Sequence, residues 1–337
     1  MRVSTAVMAV VAACVLSLTL LSPAVADPVK LRIAWIVPAG DAPLALLGKP
    51  GIAQHEGKSY TLDFVHFTAT PPMITALAGG EVDLVPFAFS SFALAVSNAK
   101  LEDLRIIADV FRDGVEGYYS TEYMVLKDSP VQKVEDLKGK VVTSNAAGSA
   151  VDIALRSMLR KHGLEDKRDY SLIESAFPNM KAMLIDKKVD LITGVAPFSQ
   201  NPELRAAART LFVQKEAIGV SQMIIMTARA NFLAKNRAAI VDFLEDNLRE
   251  LRWYWDPANH DEAIKAVTDY TKTPPTLWSS WLFTKGDLYH DPNGLPDLGA
   301  LENNIAAAHG LGFIPAALDP KKYADLSLVE EAAKRLK

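Results

Sequence analysis

Apolar residues along this chain fall into short runs at strand spacing, separated by stretches at helical spacing. LRIAWIV (31–37) and TLDFVHF (61–67) are β-branched or aromatic and partly alternating, the pattern of half-buried strands. VDLVPF (82–87), LRIIADVF (104–111), STEYMVLK (120–127), GKVVTS (139–144), SLIES (171–175), VDLITG (189–194) and SQMIIMTA (221–228) read the same way. Thr70-Pro71-Pro72 opens a helix through Leu77, with Thr70 as N-cap and Pro71 in the first turn, where its missing N–H is not needed. Gly79-Gly80 ends that helix. A second helix runs from about Ser149 to His162, stopped by Gly163, and a third contains Met180 to Ile185. From Ala230 onward the chain reads as helices, with LYHDPNGLPD (288–297) a loop between them. Strands alternating with helices predict an α/β protein of mainly parallel sheets flanked by helices.

One motif occurs twice. PPMITALAGGEVDL (71–84) and PNMKAMLIDKKVDL (178–191) share six identities, P-x-M-x₃-L-x₄-V-D-L, at an offset of 107 positions. Each copy is helix, turn and buried strand. Any helix-to-strand unit shares part of this pattern; two related α/β lobes, one per copy, account for all of it. Ligand sites in open α/β sheets lie beyond the carboxyl ends of strands, so two lobes set two such edges face to face.

Composition changes the picture at one end. MRVSTAVMAVVAACVLSLTLLSPAVA (1–26) has one basic residue, no acid, a long apolar run and a small-x-small ending, which reads as a secretory signal peptide cleaved before Asp27. The run breaks at Ser22-Pro23, short of a membrane anchor, and Cys14 sits mid-run rather than at its end, against lipid attachment. Cleavage removes the only cysteine and takes the net charge from −4 to −5. Disulfides, cysteine nucleophiles and cysteine metal sites are then excluded, and the mild acidity argues against nucleic acid as partner. The remainder is long enough for two domains held by their cores.

EDLKGKVVTSNAAGS (135–149) continues as AVDIALRSMLRKHGLEDKRDYSLIE; ALAGGEVDLV and AFPNMKAMLIDKKVDLI precede two cleft loops. ANFLAKNRAAIVDFLEDNLRELRWYWDPANHDEAI, ENNIAAAHGLGFIP and KKYADLSLVEEA come after them in order. Over nearly the whole chain after residue 26 this resembles the substrate-binding proteins of ABC importers for sulfonates, taurine and related ions, a group that includes pyrimidine-precursor binders. The resemblance implies a two-lobe periplasmic-binding-protein fold of type II, with two crossover strands. Residues 27–119 and 229–337 would form lobe I and 120–228 lobe II. It further implies a periplasmic monomer that catches a small molecule between the lobes, closes about a hinge and presents the ligand to a permease, with no cofactor.

Candidate ligand residues lie in the loops after strands. In VTSNAAGSAVD, Ser149-x-x-Asp152 resembles a capping box. It caps a helix, and small neighbours leave N–H groups open to a negative group. The family's use of the matching loop points to Asn145, Gly148 and Ser149. PFAFSSF (86–92) supplies Phe89, Ser90 and Ser91, as core and caps or as cleft residues. Trp35, Val37 and Pro38 after the first strand, Pro197 and Phe198 in VAPFS, and Thr68, Tyr123 and Trp281 complete the set.

No histidine pair has zinc spacing, no Gly-x-Ser-x-Gly elbow is present and the Walker ending is absent. A pyrimidine-precursor-synthase-like enzyme of the same fold would need a cysteine-rich segment that this chain lacks. Residues 86–99, 143–155 and 193–204 hold no lysine or arginine. An anion there would rest on neutral donors, and the expected ligand is a small organic acid, sulfonate or carboxylate, with a hydrophobic body and its charge at Ser149. The alternative is an uncharged or nucleobase-like ligand.

Overall fold

The computed structural model describes residues 27–36 and 49–336. Residues 1–26, with the cleavage site and Cys14, and the loop residues Val37 and Pro38 lie outside the described residues. The strands are numbered along the chain. The first sheet holds β1 (Val29–Trp35), β2 (Tyr60–His66), β3 (Leu84–Ala88), β4 (Leu104–Asp113) and β10 (Ser221–Arg229), ordered β2-β1-β3-β10-β4. In the second half, β5 (Glu122–Leu126), β8 (Ile192–Gly194) and β9 (Ala208–Val213) pair as β8-β5-β9, while β6 (Val141–Ser144) pairs with β7 (Ser171–Glu174). A parallel bridge from Val142 to Leu191 sets β6 beside β8, so this half reads β7-β6-β8-β5-β9.

The two orders match once β5 takes the place of β10. In each half four strands share one direction and the fifth runs against them. That odd strand is the one that crosses: β5 follows β4 into the second half, and β10 follows β9 back. The return corrects a boundary. Residues 221–228, placed in the second lobe from sequence, form a strand whose Met226 lies opposite Pro86 on one side and Ala108 on the other, both in the first sheet. The edge strand β9, ARTLFV, is absent from the strands that the apolar pattern predicts.

Helices α1 (Thr70–Ala78), α2 (Phe89–Ser97), α3 (Ala150–Lys161), α4 (Phe177–Ile185) and α5 (Ala230–Tyr254) pack on these strands. Pro71 and Pro72 occupy the first turn of α1, but its N-cap is Ala69; Thr70 is already helical, and its Oγ1 lies 2.6 Å from Ser91 Oγ on α2. Ser149 does cap α3, accepting from the Asp152 N–H at 3.3 Å. The Asp152 carboxylate accepts from Gly148 N–H at 2.9 Å, one residue before the position a capping box would satisfy.

The repeat now has a physical content. Met73 and Met180, Leu77 and Leu184, Val82 and Val189, and Leu84 and Leu191 are all buried. Asp83 donates its N–H to Arg32 O and accepts the Arg32 N–H on its carboxylate; Asp190 does the same with Val141. Each aspartate thus extends the ladder of the central parallel pair by one rung, β1 to β3 or β6 to β8. The helices also end alike. Glu81 N–H donates to Ala76 O at 2.8 Å and Lys188 N–H to Met183 O at 2.9 Å, with a left-handed residue just before: Gly80 (φ 72°) or Lys187 (φ 56°). A Cβ on Gly80 would meet nothing within 4 Å, so Gly80→Ala should cost only the left-handed penalty, about 1 kcal/mol. Lys187→Gly should recover up to a similar amount, because its exposed pair with Asp128 contributes little. Urea unfolding of both variants checks the equivalence; a stabilised Gly80→Ala would contradict it.

Helix α5 and the helix Ser327–Arg335 cover one face of the first sheet through Leu31, Ile33, Ile107, Phe243, Leu244 and Val329. The second half has its own core around Val125, Val142, Leu155 and Leu159. A further cluster runs across the junction, joining Phe87, Phe92 and Ile305 to Ala150, Ile153 and Met180. At about 1.5–3 kcal/mol per buried large side chain, these clusters hold each half, and the last holds the halves against each other.

Candidate functional site

Between the halves lies a cavity of about 740 Å³, its open mouth included. It sits where the strand ends face each other, as an open α/β sheet dictates. Ile36 follows β1, Thr70 starts α1 and Ala88 ends β3; Asn145 follows β6, Phe177 starts α4 and Val195 follows β8, and all six line the wall. These are three equivalent pairs. Thr70 and Phe177, like Ala88 and Val195, stand 107 positions apart, the offset of the repeated motif, and the strand pairing aligns Ile36 with Asn145. Phe111, Met223 and Ile224 add the crossover side of the first sheet, and Tyr119 and Thr121 the first crossing segment. Trp281, Asp287, Leu288 and His290 come from the long stretch between His260–Thr271 and Leu298–Gly310.

The polar groups have defined partners. Ser149 Oγ donates to Asn145 Oδ1 at 2.7 Å while accepting from Asp152, so its only proton is engaged within the protein. Asp152 is buried and paired with Arg156 at 2.9 Å, which places a carboxylate in the first turn of α3. Tyr119 OH donates to Gly194 O at 2.9 Å and lies 2.9 Å from Ser199 Oγ. Thr121 donates its N–H to the Asp113 carboxylate at 2.8 Å.

An acid and an imidazole line the wall. Asp287 is 4 % exposed, and its carboxylate accepts the N–H groups of Phe283 (3.1 Å) and Leu288 (2.7 Å). Burial outweighs both bonds and pushes its pKa up to about 7. His290 packs near the rings of Phe111 and Trp255, and burial pulls it down to about 4, so its imidazole is neutral at pH 7. No lysine or arginine is among the lining residues.

Of the residues expected from sequence, Asn145, Ser149 and Trp281 line the cavity. Several others miss it by one position. Trp35 turns its ring onto His66, 4.5 Å away, while Ile36 faces in; Phe89 is buried in the core beside the lining Ala88; Pro197 is buried beside the lining Ala196. Phe198 stacks on Phe177 at 6.4 Å and backs the wall. Ser90 and Ser91 are buried in α2. Tyr123 is core: it stacks on Phe212 at 4.4 Å and donates to Val151 O at 2.7 Å. Thr68 is exposed. Gly148 packs between the halves, where a Cβ would stand 3.2 Å from both Leu94 and Phe313. Trp278 is buried and donates to Thr273 Oγ1. Tyr119, Asp287 and His290 carry no signal in the sequence that sets them apart; Asp287 lies one residue before the stretch that reads as a plain loop and His290 within it.

A separate group, His55, Asp242 and Glu245, brings its ligand atoms within 4.8 Å of one another. Arg335 pairs with both carboxylates and Arg249 with Glu245, so each carboxylate of the group already has a cationic partner from the protein.

Solved structures carry the same architecture. The alkanesulfonate-binding protein SsuA from Xanthomonas axonopodis pv. citri, bound to MOPS, is 17% identical with a TM-score of 0.69, over 89% of this chain and 99% of that one. The periplasmic nitrate-binding protein NrtA from Synechocystis PCC 6803 is 15% identical with a TM-score of 0.71, over 92% and 89%. The desulfurization enzyme DSZB is 13% identical with a TM-score of 0.62, over 92% and 100%, so the fold also carries catalysis. Among curated proteins none matches. The fold is thus the type II periplasmic-binding-protein fold that the resemblance implied. With the family profile matching residues 24–268, the chain belongs to the NMT1-like family.

Proposed function

We propose that this chain is the extracytoplasmic solute receptor of an ABC importer: it encloses a small organic molecule between its halves and hands it to the permease. The observation that carries this is the cavity, walled by equivalent residues of both halves, so that a ligand touching Thr70 and Ala88 also touches Phe177 and Val195. The sulfonate- and nitrate-binding neighbours support the transport role, and the export reading of residues 1–26 belongs with it. Phe111, Tyr119, Phe177 and Trp281 suit a hydrophobic, ring-sized body.

For the polar end, the organic-acid reading rests on Ser149, Asn145 and the start of α3. Three observations count against it. The Ser149 proton is engaged, Asp152 already occupies the first turn, and the wall offers a carboxyl group and no cation. We therefore take a ligand that is not an anion. A thermal-shift screen of organic acids, amides, amines and sulfonates tests the receptor reading. A ligand present at 100-fold its Kd should add about 2.7 kcal/mol. Ser149→Ala should lose about 1 kcal/mol of stability as a helix cap and leave affinity nearly unchanged. A large affinity loss confined to acids would restore the organic-acid reading, and turnover of a screened compound would replace transport by catalysis.

A further inference from the structure

We propose that Asp287 is the polar anchor of the ligand and that the site selects a protonated amine carried on an apolar body. This deepens the receptor reading and rests on it. Three other buried carboxylates of the first half are satisfied from within the protein. Asp109 has Gln222 at 2.5 Å and Arg112 at 3.9 Å. Asp113 has the Ser120 hydroxyl at 2.5 Å and the Thr121 N–H at 2.8 Å. Asp246 accepts from Tyr60 and two backbone N–H groups and pairs with Arg249.

Asp287 differs from all three. Its two oxygens each accept one backbone N–H, and no side chain among the described residues donates to it or forms an ion pair with it. Each oxygen keeps an acceptor direction unused, and the residue stands in the cavity wall. Burying a carboxylate without a counter-charge is expensive, and an ammonium from the ligand would supply both the charge and the missing donors. The rest of the wall agrees. Trp281, Tyr119 and Phe111 offer aromatic rings, which attract cations at their faces, and the neutral His290 adds no repulsion. A carboxylate or sulfonate ligand would meet Asp287 as a like charge with no lining cation to offset it.

The test uses three molecules with one body and three charges: 2-phenylethylamine, 3-phenylpropionamide and 3-phenylpropionate. Calorimetry at pH 8 with the protein lacking residues 1–26, as exported, should give the amine at least tenfold tighter than the amide, and the acid weakest. Asp287→Asn should lose at least tenfold for the amine and less than twofold for the amide; the retained amide affinity reports that the variant is folded. The wild-type ranking alone decides the matter if the variant does not fold. Acid binding as tight as amine, or an amine preference that survives Asp287→Asn, overturns the proposal while leaving the receptor reading intact. A thermal-shift screen with no hit in any class removes the receptor reading, and this proposal with it.

Discussion

Asp287→Asn stabilises the unliganded protein relative to wild type, and the gain grows as pH rises from about 4 to about 7. The carboxyl titrates near 3.8 when exposed and near 7 in the fold, because the cavity wall excludes water from it. Between these values the folded state holds a proton that the unfolded chain has released. Wild-type stability therefore includes a contribution that is complete below the unfolded pKa and is lost as pH climbs through the folded one. A shift of about three units, at about 1.4 kcal/mol each, sets an upper limit of roughly 4 kcal/mol on that loss. Asparagine does not titrate, so the difference between variant and wild type should widen across this window and level off above it. Asp109 and His290 titrate in both proteins and cancel in the difference. Thermal unfolding at half-unit pH steps reads the effect; a gap between the two melting curves that does not change with pH would sink the claim. The same substitution is expected to weaken amine binding. A group that destabilises the empty protein and strengthens the filled one marks a binding site rather than a structural one.

What is legible in the sequence, and what is not, divides along the physics of each feature. The repeat can be read because Met73, Leu77, Val82 and Leu84 are core residues of a local helix-turn-strand unit, and Met180, Leu184, Val189 and Leu191 repeat it. Its aspartates cannot be interpreted from sequence, since the rungs they complete run to Arg32 and Val141, about 50 positions away. Asn145, Ser149 and Trp281 line the cavity as read, while at three other loops the expected residue stands one position from the lining one. Trp35 for Ile36, Phe89 for Ala88 and Pro197 for Ala196 are all single-position slips at or beside strand ends, where successive side chains face opposite ways. Sequence favours the larger residue each time; Phe89 and Pro197 are buried away from the cavity, and Trp35 packs half-buried on His66. Asp287 and His290 are beyond reach for another reason. They lie some 140 positions from Asn145, and only the second crossover and the helices after it bring them to the same wall.

Gly148→Ala should open the cleft. The residue sits in the left-handed region at φ 74°, where an alanine costs roughly 1–2 kcal/mol. Its missing Cβ also marks a close approach of the halves: an added carbon would stand 3.2 Å from Leu94 Cδ1 and from Phe313 Cδ1, both in the first half. Leu94 Cδ1 ends a flexible side chain but Phe313 Cδ1 belongs to a rigid ring, and the neighbours must give by only a few tenths of an ångström. Such a shift falls on the junction that the ligand must close, since Ser149 and Ala150, the next residues, line the cavity. The left-handed strain weakens the loop in every state, whereas the contact with Leu94 penalises only the closed one. If half of a 2 kcal/mol effect falls on closure, affinity drops by about fivefold. Leu94→Ala in the same chain removes one of the two contacts, leaving that with Phe313, and should restore part of the affinity while leaving the loop strain in place. Calorimetry of wild type, Gly148→Ala and the double variant with one ligand reads the loss and its partial return. A double variant no tighter-binding than the single one would show that the Leu94 contact carries none of the cost of closure.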